Sequence, residues 1–440
     1  MTAFALAFAR VAGVAAAAWA AGWFASPAVC PSDPEFRAER AGWSWAIGVA
    51  LAAAMVPLAL FVGATPGWAA FGILGLLGIG AGAGFRVSSA QGAPAAQTDA
   101  MRAPRDVRLP IGLVCLVALG VALYALRALT EPMWSNDYIA IWGLKGKTVH
   151  AAGAIPRRLF EDPALGFSHP EYPLGLPFLY AGVSFLTGRW DDHALALLFP
   201  IFQVATLAVL VGWLRRHGAS RGTALVAAAT LVCFEPLYTS FMTGMAEVPL
   251  SFGLLLFGTA LADALEGDSG ALRRLAAASA LIAATKNEGL FYAAAGCAIA
   301  ALFGGSRRWR VALAALPTAL FVHGLHVAAL GRLPLRDFDV ASVSLARTGE
   351  ALAAALRLPG AVGWAELLLL AALAALGVRG GAGDRMLGLC ACGLAAYLLL
   401  PAFAVRGPEW LVQTALPRTS AALAPLAAGA VAIRLARPAD

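Results

Sequence analysis

Charge is scarce in this chain. Only 13% of its 440 residues are Asp, Glu, Lys or Arg, while 60% are hydrophobic. A soluble domain is nearer one quarter charged, so a water-soluble globule is excluded. There is no G-x-x-x-x-G-K-[ST] phosphate cradle, and the short arginine-bearing loops leave no room for another. A soluble nucleotide substrate therefore has no binding element. Cysteine gives no framework either. The six residues, Cys30, Cys115, Cys233, Cys297, Cys390 and Cys392, lie in or at the ends of apolar segments. Cys390 and Cys392, two apart, fall on different helix faces, and neither a disulfide scaffold nor a zinc site follows. The net charge of +7 is not a nucleic-acid signature, because the arginines sit in short loops between apolar runs.

What is abundant is hydrocarbon in blocks of about twenty residues, the length that crosses a bilayer core as helix. Blocks this long exclude barrel strands, and helices satisfy their own backbone in lipid. The expected fold is all-α, a polytopic integral membrane protein with about 11–13 transmembrane helices. Spans are expected at 4–26, 43–64 and 67–85, then at 109–130, 193–214, 222–242, 247–265, 272–287, 289–304, 311–330, 361–378, 386–403 and 418–435. The N-terminal run, with no acid before Asp33, reads as a first span rather than a cleaved signal peptide. The chain divides into N-terminal helices 1–86, a polar linker 87–108 and a core 109–436 with a large loop 131–192.

Alternating sides along this list gives a consistency test. The linker and the loops at Arg215-Arg216, Arg273-Arg274, Arg307-Arg308, Arg379 to Arg385 and Arg434 to Arg437 all fall on one side, which the positive-inside rule makes cytoplasmic. Loop 131–192 then lies outside, and the N-terminus with it. The apolar piece 172–187, with Pro173 and Pro177, becomes a re-entrant or interface-lying helix rather than a crossing.

The same parity gathers the unexpected polar residues at the outer ends of spans. Asp137 follows an unbroken apolar stretch, and His169, Glu171 and Tyr172 lie further along the same loop. Glu235 and Glu247 bracket an outward turn; Lys286, Asn287 and Glu288 form another. Arg332, Arg336, Asp337 and Asp339 occupy a solvated loop, 331–360, and Arg406, Glu409, Trp410 and Arg418 the last one. Lys145, Lys147, Arg157 and Arg158 are expected on a juxtamembrane helix at the lipid surface. Ionisable groups at membrane depth are costly and are functional candidates by default. The bland alternatives are that Lys286 and Glu288 only pair with other charges, that Glu235 marks a helix end, and that His169 packs a loop. A carboxylate and several cations in a water-facing pocket suit attack by a hydroxyl beside a phosphate. The carboxylate takes the proton and the cations, Lys286 and Arg418, neutralise the phosphate.

The residues Asn136-Asp137, the stretch His169-Pro170-Glu171-Tyr172-Pro173-Leu174, the Gly244–Leu250 motif, the Thr285–Gly289 turn and Pro417-Arg418 give a pattern that resembles the GT-C membrane glycosyltransferases. The likeness is to bacterial relatives of the dolichyl-phosphate-mannose mannosyltransferases, and it covers roughly 109–435. Membership would imply inverting transfer of a sugar from a polyprenyl-phosphate carrier to a cell-envelope acceptor, a lipid, glycan or protein. The site would be extracytoplasmic, on the bacterial plasma (inner) membrane. It would also imply Asp137 as base or as the group orienting the acceptor hydroxyl, and Lys286 and Arg418 holding the donor phosphate. His169, Glu171, Tyr172, Glu247 and Glu288 would line the substrate site, with Glu247 the second catalytic candidate. Many relatives carry an acidic pair in the first loop. Here the neighbour is Asn136, so a divalent metal would need Glu171 or Glu247 as its second carboxylate. The competing readings are an O-antigen ligase or polymerase type of enzyme and a lipid or sugar transporter. The first would place key Arg and His residues in a large late loop, and loop 331–360 has no His. The second would show broken mid-membrane helices and an internal repeat.

The topology predicts that, in a cysteine-free background, His150→Cys and Val340→Cys react with an impermeant thiol reagent added outside the cell, whereas His217→Cys does not.

Overall fold

The computed structural model describes residues 2–30, 36–90, 110–234, 236–268, 270–330, 344–357 and 381–436. Every regular element among them is helical. Seven helices are long and apolar enough to cross a membrane, and five shorter apolar helices accompany them, the make-up of a polytopic membrane protein. The expected span 361–378, Glu235, most of the linker, and Arg332, Arg336, Asp337 and Asp339 lie outside the described residues.

The core is organised around the Glu247–Glu266 helix, buried from Glu247 to Leu265. Its 20 residues rise about 30 Å at 1.5 Å each, the thickness of a hydrocarbon core. The Leu198–Arg216, Ala271–Thr285 and Ala382–Leu399 helices pack around it, with the Ala424–Ala436 helix. The N-terminal helices are part of this assembly, since the Arg37–Phe61 helix packs on both the Leu198–Arg216 and Gly175–Thr187 helices.

Charge is segregated to the two ends. At one end Asp263, 2% exposed, accepts from Arg216 at 2.6 Å and from Arg274 at 3.0 Å, lies 2.8 Å from His217 Nε2, and accepts from Trp213 Nε1 at 3.0 Å. Arg216 also reaches Glu39 at 2.7 Å. Arg307 donates to the Leu265 carbonyl and Arg385 to that of Ala262, while Arg434 pairs with Asp384. The arginines of five expected same-side loops thus converge on one end of the bundle. Glu247, Lys286 and Glu288 stand at the other ends of the same helices.

Several boundaries differ from expectation. The expected span 222–242 is helical only to Val232, and residues 236–246 are turns. Gly244, at φ +96°, ends those turns; a Cβ there would sit 2.8 Å from the Tyr138 ring, and its carbonyl accepts from Tyr180 at 2.9 Å. The expected span 418–435 is two pieces, Leu416–Ala421 and Ala424–Ala436. Loop 331–360 contains a helix, Leu345–Arg357, because Ala351 and Ala355, four apart, present a buried face. The Gly175–Thr187 helix has 13 residues, about 20 Å, short of a crossing.

The juxtamembrane reading fails at Lys145. The Gly143–Ala152 helix packs on Gly175–Thr187, and on it Lys145 is fully buried. His150 packs on Phe185 with ring centroids 4.8 Å apart, so exposed Lys147 and Arg221 are cleaner labelling positions than His150 and His217.

Breaking a buried ion pair from one side leaves uncompensated charge and costs roughly 3–5 kcal/mol. Asp263→Asn should therefore lower the thermal midpoint of the detergent-solubilised protein markedly, while Lys147→Gln at an exposed position should leave it nearly unchanged.

Candidate functional site

The end of the bundle opposite the arginine loops holds a cleft of about 1370 Å³. Asp137, His169, Tyr172, Lys286, Glu288 and Arg418 all line it. Local structure explains how each arrives. Asp137 stands just before a single π-helical turn, Tyr138–Trp142. Lys286 leaves the Ala271–Thr285 helix in extended conformation, and Glu288 opens the next helix. Arg418 lies on the short Leu416–Ala421 piece; the break after it lets this segment turn across the cleft instead of continuing through the bilayer.

The charges form one network. Glu247 is fully buried, and its Oε1 accepts from Lys286 Nζ at 3.2 Å and lies 3.7 Å from Arg418 Nε. Lys286 also pairs with Glu288 at 2.8 Å, and the other face of the Arg418 guanidinium pairs with Asp137. Two cations thus meet three carboxylates. Glu247 Oε2 and Arg418 Nε are buried without a hydrogen-bond partner.

The second wall is aromatic. The Tyr172 ring stacks with His169 at 4.8 Å and with Trp142 at 5.4 Å. His169 Nδ1 lies 2.9 Å from Glu171 Oε1. His169 has φ +49°, a left-handed conformation that costs a non-glycine residue roughly 1–2 kcal/mol. It is held there from behind, where Lys145 Nζ donates to its carbonyl. Lys145 was not foreseen as part of the site. The signal lay in Gly143 and Gly146: a Cβ on Gly146 would meet the Pro177 carbonyl at 2.9 Å, so the helix is pressed inward and takes Lys145 with it. Sequence reasoning also missed Arg127, Trp134 and Phe241, which line the mouth of the cleft. At that mouth the Arg406 guanidinium lies 5.0 Å from the Trp410 ring.

All eight expected site residues thus belong to one cleft and its immediate backing. A divalent metal does not fit the donor set as it stands. The carboxylates that would have to share it, Asp137 and Glu247, are bridged by the Arg418 guanidinium, and Glu171 is turned to His169. Among the described residues no cluster of three His, Cys, Asp or Glu side chains is arranged to hold a metal. What the arrangement offers is fixed cations beside carboxylates at the edge of an apolar bundle, which suits a phosphate and a proton in transfer. Comparison of the chain with family models, curated proteins and solved structures yields no match.

Burial pulls the Lys145 ammonium down from 10.5 to about 7, with Glu171 opposing only in part. The unfolded chain therefore binds this proton more tightly, and stability rises as pH climbs from about 7 towards the unfolded value. Wild type should gain thermal midpoint relative to Lys145→Met between about pH 6 and about pH 9. Parallel curves would place the ammonium in water.

Proposed function

We propose that this chain is a membrane glycosyltransferase that moves a sugar from a polyprenyl-phosphate carrier to a cell-envelope acceptor. The observation that carries the reading is the meeting of Asp137, Lys286 and Arg418 in one cleft, with Glu247 buried behind the two cations. These residues come from four separate segments, and the cleft lies at the end of the bundle away from its arginine loops. By the positive-inside rule that end is extracytoplasmic, where lipid-linked donors rather than nucleotide sugars are at hand. The resemblance in motif order from Asp137 to Arg418 supports the same class.

In this reading the donor phosphate sits against Lys286 and Arg418. The acceptor hydroxyl attacks the anomeric carbon from the opposite side as the bond to the phosphate oxygen breaks. The phosphate leaves with the electron pair, and its growing charge is met by the two cations already in place. The hydroxyl proton passes to Asp137. The ion pair between Arg418 and Asp137 gives the steps an order: a phosphate drawing the guanidinium towards itself frees the carboxylate to act. His169, Tyr172 and Glu171 form the wall against which sugar or acceptor is positioned, and Glu247, fixed behind the cations, holds them in register.

Asp137→Asn should reduce transfer of label from a radiolabelled polyprenyl-phosphate sugar in proteoliposomes by about 10²–10⁴-fold, with expression and thermal midpoint retained. Near-normal turnover would remove Asp137 from the chemistry. Lys286→Ala should raise the KM for the lipid donor more than that for the acceptor. Equal increases would make Lys286 a structural partner of Glu247.

A further inference from the structure

A second cavity, of about 1330 Å³, opens between the Arg37–Phe61, Gly175–Thr187, Ala271–Thr285 and Arg308–Leu330 helices. Its walls are hydrocarbon, with Trp43, Val49, Leu58, Leu179, Phe202 and Leu281 among them. It stands back to back with the charged cleft: Tyr172 and Lys286 face the cleft, while their chain neighbours Pro173 and Thr285 face this cavity. A thin wall separates them. A Cβ on Gly175 would lie 2.3 Å from the Ala284 carbonyl, so the two helices touch backbone to backbone at this point.

The polarity of the lining is one-sided. Among the described residues its ionisable ones are Arg157, His323 and His326, with no Asp or Glu. Arg157 is exposed at the rim, near the 63–65 and 153–155 turns, and makes no ion pair among the described residues. Water does not fill such a space, because an ordered water needs two to four polar partners. The apolar component around membrane helices is lipid chain. Along the Arg37–Phe61 helix the lining runs from Trp43 to Phe61, about 27 Å at 1.5 Å per residue, against roughly 30 Å for the whole hydrocarbon core. A full chain therefore fits, and Arg157 at the rim, which pairs with no acid among the described residues, favours a negative head group.

We infer that this cavity seats the hydrocarbon chain of an anionic phospholipid, with the phosphate at Arg157. The seat lies across the wall from Lys286 and Arg418 and uses neither. It goes beyond the transfer reading, and each can stand or fall alone.

The test is photolabelling of the full chain in nanodiscs containing phosphatidylglycerol or phosphatidylcholine with a photoreactive chain, followed by peptide mapping. Phosphatidylglycerol should label segments 47–61 and 277–285 about fivefold more than phosphatidylcholine, the scale of one basic residue at a charged membrane surface. Arg157→Gln should remove that preference. Ala280→Phe, which fills the cavity, should cut labelling of both segments several-fold and leave labelling of the exposed Leu119 and Leu123 face unchanged. Where that variant does not fold, Ala53→Leu on the facing helix serves in its place. Equal labelling by the two lipids in wild type, or labelling insensitive to filling the cavity, would overturn the seat. No turnover is required, so loss of transfer activity with labelling intact would tell against the transfer reading only.

Discussion

The cleft depends on one buried carboxylate. Glu247 has no access to solvent, and an isolated charge in that position would cost several kcal/mol. It is tolerable only because Lys286 and Arg418 are brought to it. Satisfying that acid fixes the end of one helix, the start of the next and a short segment far along the chain. Through Arg418 it also fixes Asp137. The geometry of the cleft is thus a by-product of an electrostatic requirement inside the bundle. Both cations are already in place at the cleft, each held by Glu247 and by a second carboxylate, Glu288 for Lys286 and Asp137 for Arg418.

The same helix carries the second constraint. Glu247 begins it, and Asp263 lies one turn from its far end. Each acid collects cations from neighbouring segments, so two ionic layers clamp the bundle about 24 Å apart, most of the thickness of a bilayer core. Between them the packing is hydrocarbon and non-directional. The ionic layers therefore set the register of the helices, while burial supplies the bulk of the cohesion. Glu39 brings the N-terminal helices into the lower layer, and those helices in turn form one side of the apolar cavity.

Much of this was legible in the sequence, for identifiable reasons. Hydropathy gave the helical, polytopic make-up, and arginine spacing gave the grouping of the arginine loops at one end of the bundle, because membrane insertion reads those same quantities. The grouping of the candidate residues was legible because charge at membrane depth is costly enough to be rare, and Asp137, Glu247, Lys286 and Arg418, which the structure brings together, each interrupt apolar sequence. What stayed hidden depended on contacts. Apolar composition alone does not distinguish a crossing helix from one that stops at Val232 or breaks at Ala422, since both read as continuous hydrophobic runs. Lys145 was misplaced because a lysine near a membrane surface ordinarily snorkels, and only the close approach at Gly146 turns it inward. Pairing was equally invisible: nothing local to Asp137 indicates that its partner is Arg418, 281 residues away.

That last distance bears on the order in which the cleft is made. During synthesis Asp137 and Glu247 enter the membrane region long before the guanidinium that lies between them. Until the Leu416–Ala421 segment is in place, Glu247 has only Lys286 as its cation and Asp137 lacks its Arg418 partner. Arg418 therefore acts as a latch on assembly. The charge network of the cleft is completed in a single late event, after the surrounding helices have been threaded, and a chain stalled before that point would hold an open, acidic groove.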